Sequence, residues 1–327
     1  MDIVAIKEFL GRDWQDVQDA IVSSLRSDID LLNQVNTSIL DNSGKQLRPL
    51  LALMVARACS AEGITMKTVN YAAAAELLHN ATLLHDDVAD GSVQRRGLPT
   101  VMSLMGPSVS VLVGDYWLVK AMGQILAPVD GSPEVIKLFS KTLSDLAEGE
   151  MLQLQKAQTG DTDENDYLRI IYSKTASLFE VAAVSAAISV NAPVEYITAV
   201  RDYAIAVGLA FQIKDDILDY SGTESVGKAL GVDILEQKIT MPLLGALANV
   251  PEHEQSRIRS LVNDIVSHPE YRDQIVDFVR SNGGIEYAQK CLDEHISNAV
   301  ASISVLPESA ERSYLEKLAY FTAVRNK

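Results

Sequence analysis

The sequence is poor in cysteine, aromatic residues and positive charge. Cys59 and Cys291 are its only cysteines. They form neither a disulfide framework nor a zinc pattern, and they read as reduced residues of a cytosolic protein. Lysine and arginine number 28 against 44 acids, a formal net charge of −16. A surface of that sign repels nucleic acid, so no nucleic-acid partner is expected; a small anionic substrate is still allowed where bases cluster locally. Aromatics make up 6% of the chain, and no run of alternating β-branched residues stands out. With alanine and leucine abundant, an all-α fold is favoured. The start of the chain, Met1 to Trp14, carries acids early and lacks a signal-peptide pattern, which points to a cytoplasmic location. The uncharged stretch from Val181 to Val194 falls short of the ~20 residues that span a bilayer. Any membrane contact is then peripheral. Solenoid repeats, low-complexity segments and linkers are lacking too, so one domain over residues 1–327 is the simplest reading.

What is present is acid in a pattern. Leu83-Leu84-His85-Asp86-Asp87-Val88-Ala89-Asp90 closes a long apolar run that begins at Tyr71. On a helix Asp86 and Asp90 project from one face, one turn apart, with Asp87 about 100° round from Asp86. Carboxylates this close repel one another unless a cation sits between them. Hard oxygen ligands suit magnesium or manganese rather than zinc. A lone cluster reads equally well as a solvated helix end. Here it recurs: Asp215-Asp216-Ile217-Leu218-Asp219 closes a second apolar run, Ala204 to Ile213. Set face to face across a helical bundle, the two clusters can hold magnesium ions on a substrate diphosphate.

Along the chain, Asp2 to Leu40 reads as one or two amphipathic helices, with Ile21, Leu25, Ile29 and Leu32 at helical spacing. After the break at Asn42-Ser43-Gly44, Lys45 and Arg48 stand near a helix N-terminus, whose dipole favours anions; alone, they read more readily as solvated bases. His79 lies two turns before Asp86 on the same face, as a core histidine or a ligand. Arg95 and Arg96 follow the first cluster in a polar loop, and guanidinium forks suit a diphosphate. Lys174-Thr175 lie early in a helix from Tyr167 to Asn191. Phe211-Gln212 precede the second cluster, and Lys228, Asp233 and Lys238 follow it. Arg95, Lys174, Lys228 and Lys238 could complete an anion cage beside the metal. Lys45, Arg48, His79 and Arg96 could hold a second diphosphate without metal. This is the equipment for ionising one apolar diphosphate beside another.

The motifs Gly44-Lys45-Gln46-Leu47-Arg48-Pro49, Asp86 to Gly97, Lys174-Thr175, Phe211-Gln212, Asp215 to Asp219, Gly227-Lys228, Gly231-Val232-Asp233-Ile234 and Lys238 together resemble the trans-isoprenyl diphosphate synthases, the polyprenyl synthetase family. The chain departs from the pattern at none of these positions; residues 324–327 match more weakly and receive no role. The resemblance implies an all-α bundle around a central cavity, usually a homodimer, and a magnesium-dependent prenyltransferase. It implies that Lys45, Arg48, His79 and Arg96 bind isopentenyl diphosphate, and that Arg95, Lys174, Lys228 and Lys238 grip the allylic diphosphate. Asp86, Asp90 and Asp215 would bind magnesium, supported by Asp87 and Asp219. Lys174, Thr175 and Gln212 would be catalytic, the last two placing oxygen dipoles near the developing cation, and the released diphosphate would take the final proton.

In the family, large residues just before the first acidic motif form the floor of the product channel. The helix wheel picks Thr82, about 40° off the line of Asp86, over Ala81, about 140° off; the resemblance points to Ala81. Neither is bulky, and Ser108, Val111 and Leu112, expected across the channel, include no aromatic. An all-trans product longer than twenty carbons, of the kind used for quinone side chains, is therefore expected, with a farnesyl or geranylgeranyl diphosphate synthase as the alternative. Lys45, Arg48 and His79 argue against a terpene cyclase, which needs no second diphosphate site. Two intact acidic clusters argue against a non-catalytic subunit or a purely structural helical protein.

Overall fold

In a computed structural model of the chain, residues 3–95, 97–221 and 231–325 are described. They are helical nearly throughout: α1 (Ile3–Leu10), α2 (Arg12–Ser24), α3 (Asp30–Asp41), α4 (Leu47–Cys59), α5 (Met66–Ala89), α6 (Val101–Met105), α7 (Pro107–Leu126), α8 (Pro133–Thr159), α9 (Glu164–Ile171), α10 (Ser177–Ser189), α11 (Val194–Ser221), α12 (Val232–Leu235), α13 (Met241–Ala248), α14 (Glu252–Asn263), α15 (Tyr271–Ser281), α16 (Gly284–Ser302) and α17 (Ala310–Val324). A π-turn, Tyr172–Ala176, joins α9 to α10, and one short antiparallel ribbon pairs β1 (Gln94–Arg95) with β2 (Leu98–Pro99). All-α architecture is thus what the sequence predicts. Prolines and glycines punctuate it at the expected places: Pro107, Pro133 and Pro251 stand at helix starts, and Gly283 takes a left-handed φ of 72° before α16.

The N-terminal segment differs from expectation. It forms three helices, and Ile29, which shares their period, is exposed. The turn between α2 and α3 is closed by side chains rather than by helix. Asn33 accepts from Ser27 N–H at 3.0 Å and donates to its carbonyl at 2.7 Å, and Asn36 donates to Leu25 O at 2.9 Å. Backbone groups satisfied this way need no helical partner.

The described residues fall into two compact units. The first comprises Met1–Phe139, Val181–Val200 and Val305–Leu315; the second comprises Ser140–Glu180, Arg201–Ser304 and Glu316–Lys327. In the first, α5 packs against α2, α4 and α7. Its Ala72–Ala75 segment is fully buried, and side chains this small let neighbouring helices approach closely. α4 is buried on nearly every side; Leu50, Leu51, Leu53, Met54 and Val55 are at most 1% exposed, each contributing roughly 1.5–3 kcal/mol by burial. Arg57, near the end of α4, reaches the Phe9 and Leu10 carbonyls at the end of α1, at 3.1 and 2.8 Å, and pairs with Asp13. It thereby serves carbonyls that have no partner within α1. Trp117 of α7 donates its indole N–H to Asn36 at 2.8 Å.

In the second unit α13 packs against α15 and α16, with Gly245 under the Tyr287 ring. The π-turn is gripped from two sides. A Cβ on Gly149 of α8 would come within 2.5 Å of Ser173 Cβ, and one on Gly208 of α11 within 2.5 Å of Ala176 Cα. Single π-turns of this kind recur at functional sites, and this one carries Lys174 and Thr175. At Gly208 the obstacle is backbone and cannot swing aside. Gly208→Ala is therefore expected to destabilise the fold by about 1–3 kcal/mol through overpacking. That would read as a lower urea midpoint at unchanged slope; an unchanged midpoint would contradict the close approach.

Candidate active site

Both acidic clusters sit in the last turns of long helices. Asp86 and Asp87 lie in the final turn of α5, and Asp90 is its C-cap, its N–H bonded to the Asp86 carbonyl at 2.8 Å. That bond places Asp86 and Asp90 one turn apart, as their spacing predicts. Asp215, Asp216 and Asp219 close α11. A helix carries partial negative charge at its C-terminus, so cations are favoured there and carboxylates opposed. Neither helix has a basic residue of its own in its last turn.

Within each cluster the acids divide by exposure. Asp90 is exposed and Asp86 partly so, while Asp87 is buried. Asp87 takes Arg95 Nε and NH2, each at 2.9 Å. Burial pushes the Asp87 carboxyl above its usual range, and Arg95 pulls it back. The segment expected as a plain loop delivers this arginine through the β1–β2 ribbon: Ser92 N–H turns back to the Asp87 carbonyl at 2.9 Å, and Thr100 Oγ1 donates to Ser92 O at 2.7 Å. His85 lies over Gly114 of α7, its Nε2 3.2 Å from Asp115.

In the second cluster Asp215 is 43% exposed at its side chain, whereas Asp216 is buried. Asp216 accepts from Tyr167 O–H at 2.6 Å and from Gln212 Nε2 at 3.0 Å; the Gln212 oxygen accepts from Thr175 Oγ1 at 2.9 Å. Burial first, and Asp233 second, push the Asp216 carboxyl well up. Asp219 faces the start of α12, accepting Val232 and Asp233 N–H at 3.1 and 3.2 Å. Burial, with Asp219 beside it, pushes the Asp233 carboxyl up to about 7.

The bases are held by acids. Lys174 pairs with Glu150 and donates to Gln153 at 3.0 Å, and Lys238 pairs with Glu236. Arg48 lies in the first turn of α4, as its position before the apolar run predicts, and is buried there, while Lys45 is exposed and His79 half-buried. Arg96 and Lys228, with the Gly227-Lys228 motif, lie outside the described residues. Ala81 is 1% exposed within the first unit; Thr82 is half-buried and spends its hydroxyl on the His79 carbonyl at 2.8 Å. The expectation that Ser108, Val111 and Leu112 line an interior channel does not hold within the chain. All three are exposed, and the buried positions of α7 are Ser110, Val113, Gly114, Trp117, Ala121 and Ile125. The period of α7 places these two sets on different faces.

Two residues of the site are not visible in the sequence pattern. Arg325 falls in the weakly matching tail, yet its NH2 lies 2.9 Å from Asp215 Oδ1 and 2.7 Å from Phe211 O, with the guanidinium 3.7 Å above the Phe211 ring. Tyr167 stands in the sequence only as the start of a helix. Long sequence separation hides both; the one local signal is a buried-type tyrosine ahead of Lys174-Thr175.

The donors fit a hard cation. Asp86, Asp90 and Asp215 offer carboxylate oxygens to solvent. Among the described residues no three or more His, Cys, Asp or Glu side chains gather as a ready cage. Magnesium commonly takes one or two carboxylates and completes its shell with substrate phosphates and water.

Known proteins resemble this chain over its full length. A family model described as polyprenyl synthetase matches residues 29–279. An octaprenyl diphosphate synthase of Escherichia coli is 36% identical over 328 residues, covering 100% of both chains. The crystal structure of a decaprenyl diphosphate synthase from Rhodobacter capsulatus superposes with a TM-score of 0.91 at 33% identity, covering 100% of both. A polyprenyl synthase from Caulobacter crescentus, complexed with calcium and isoprenyl diphosphate, gives 0.89 at 31% identity, covering 100% of this chain and 98% of that one. The chain belongs to the polyprenyl synthetase family.

Proposed function

We infer that the chain is an all-trans polyprenyl diphosphate synthase of the long-chain type, adding isopentenyl diphosphate head to tail onto an allylic diphosphate. The observation that carries this reading is the pair of carboxylate clusters in the last turns of α5 and α11, where the helix dipole favours a cation. The octaprenyl and decaprenyl relatives support a product beyond the geranylgeranyl length. Pure protein, isopentenyl diphosphate, allylic starters of several lengths and magnesium should give such a product; a farnesyl or geranylgeranyl end product would contradict it.

The family is metal-dependent, and Asp86, Asp90 and Asp215 would hold magnesium here. Bound there, magnesium neutralises the diphosphate and acts as a Lewis acid on its departure. The chain's own residues do the rest. Lys174, Arg95 and Lys238, with Lys228, bind the allylic diphosphate, exchanging carboxylate partners for phosphate oxygens. Lys45, Arg48 and His79, with Arg96, orient isopentenyl diphosphate. Thr175 and Gln212 turn oxygen dipoles to the carbon that becomes cationic, a charge-stabilising role of the kind that dominates many active sites. The alkene of isopentenyl diphosphate attacks that carbon, and the departed diphosphate accepts the proton lost. Ala81, buried in α5, leaves room for a growing chain. Two free cysteines accord with a cytoplasmic location, and an apolar product gives reason for peripheral membrane contact at release.

A homodimer is favoured by the outer face of α6 and α7. Leu104, Leu112, Val119 and Leu126 recur there at about two-turn spacing and are largely exposed, Leu112 at 67%. Among the described residues α7 is the one helix long and apolar enough to cross a membrane by composition, yet only a third of its most apolar window is buried within the chain. Covering such a stripe with a second copy removes it from water.

Asp86→Ala or Asp215→Ala should keep the far-ultraviolet spectrum and lose about 10²–10³ in kcat, the usual size of a lost electrostatic contact in the transition state. Near-normal kcat at ordinary magnesium would reject the metal assignment. Ala81→Phe should shorten the product while sparing turnover of short starters; an unchanged product length would reject Ala81 as a channel residue. By light scattering the protein should weigh two 35.6 kDa chains, and Leu112→Asp should reduce it to one. A wild-type monomer at micromolar concentration would remove the dimer.

A further inference from the structure

The Gln212 amide has two ends of opposite polarity, and the reaction can use only one. Its oxygen stabilises a developing cation; its NH2, turned to the same place, opposes it. The two ends are nearly the same size, so shape alone does not choose between them. Hydrogen bonding chooses here. Gln212 Nε2 donates to Asp216 Oδ1 at 3.0 Å, and Gln212 Oε1 accepts from Thr175 Oγ1 at 2.9 Å. Ionised, Asp216 only accepts, and the Tyr167 and Gln212 donors oppose the upward push of burial; the opposite amide orientation would then set Oε1 against Oδ1. Asp216 is fixed in turn from its other oxygen, where Tyr167 O–H donates at 2.6 Å. Asp216 and Tyr167 are 2% and 3% exposed, so no solvent competes for the bond between them. The chain of bonds starts on α9, crosses to α11 and returns to the π-turn through Thr175.

We propose that Tyr167 and Asp216 are positioning residues for the condensation. They lock the polarity of the Gln212 amide, so that its oxygen and that of Thr175 face the allylic cation together. The inference rests on the cation-facing role of Gln212 given above. Adjacent acids of the second cluster then have different roles, with Asp215 turned to the metal and Asp216 turned inward to the amide.

Tyr167→Phe keeps the ring and removes only the hydroxyl. It should lower kcat by about 10–100-fold, as loss of an outer partner of a site residue does. KM for both diphosphates, the magnesium midpoint and the calorimetric affinity for the allylic diphosphate should stay within about twofold, a split that general loosening of the core would not produce. Asp216→Asn, whose amide can present either end to Gln212, should show the same split and serves where Tyr167→Phe folds poorly. In a Gln212→Leu background, Tyr167→Phe should cost nothing further in kcat, because its effect passes through the amide. Fully additive losses would overturn the proposal, as would wild-type kcat in both single variants. Wild-type kcat in Gln212→Leu would overturn the role of Gln212 and the inference with it. A slow Gln212→Leu beside a fast Tyr167→Phe rejects the orienting pair alone.

Discussion

Carboxylates gathered at the carbonyl end of a helix work against that helix. The peptide dipoles of α5 and α11 leave partial negative charge where Asp86, Asp87 and Asp90, and Asp215, Asp216 and Asp219, are placed. In a chain of formal charge −16 there is no surplus of bases to compensate. Each cluster must therefore import positive charge from elsewhere in the chain or from solution. The structure shows the first route for the inner acids: Arg95 returns through a ribbon to Asp87, and the neutral donors Tyr167 and Gln212 close around Asp216. The outer acids, Asp86 and Asp90, stay turned to solvent. This division explains why adjacent aspartates in one motif differ so much in burial. One tier is buried against donors from the chain, and the other lies nearer to solvent.

The chemistry carried by the second unit depends on how closely its helices approach. A regular α-helix through 172–176 would place Lys174 and Thr175 differently around the axis; the π-turn inserts the extra residue that re-aims them. Such a turn persists only where its surroundings hold it. Here the holding is steric, with Gly149 and Gly208 admitting Ser173 and Ala176 to distances at which any Cβ would collide. The same contact brings α11 close enough for Gln212 to meet Thr175 at 2.9 Å. Packing at two glycines thus sets the reach of a polar network several residues away.

The sequence makes some of this legible and hides the rest for physical reasons. Helix type and most boundaries are readable, because they depend on local period and on where proline and glycine fall. The turn of one helix between Asp86 and Asp90 follows from spacing alone. The break at residues 25–29 is not readable, since the apolar period runs on through it while Asn33 and Asn36 take over its backbone groups. The inward face of α7 is not readable either, because both its faces are apolar, and the wheel cannot say which one meets α5. Arg325 and Tyr167 stay hidden because each meets its aspartate across a long sequence separation, which no local pattern reports.

The internal counter-ions bear on how such a site can be both stable when empty and responsive when filled. Lys174 rests on Glu150 and Gln153, Lys238 on Glu236 and Arg325 on Asp215. Without these partners, half-buried cations and carboxylates would each carry a desolvation cost. With them, exchange of a carboxylate for a phosphate oxygen would trade one charge-assisted bond of each base for another. Arg325 faces a sharper choice, for the carboxylate it holds is also the exposed acid of the second cluster. A cation arriving at Asp215 competes directly with that guanidinium. The Phe211 carbonyl and ring also hold Arg325, so its place does not depend on the carboxylate alone.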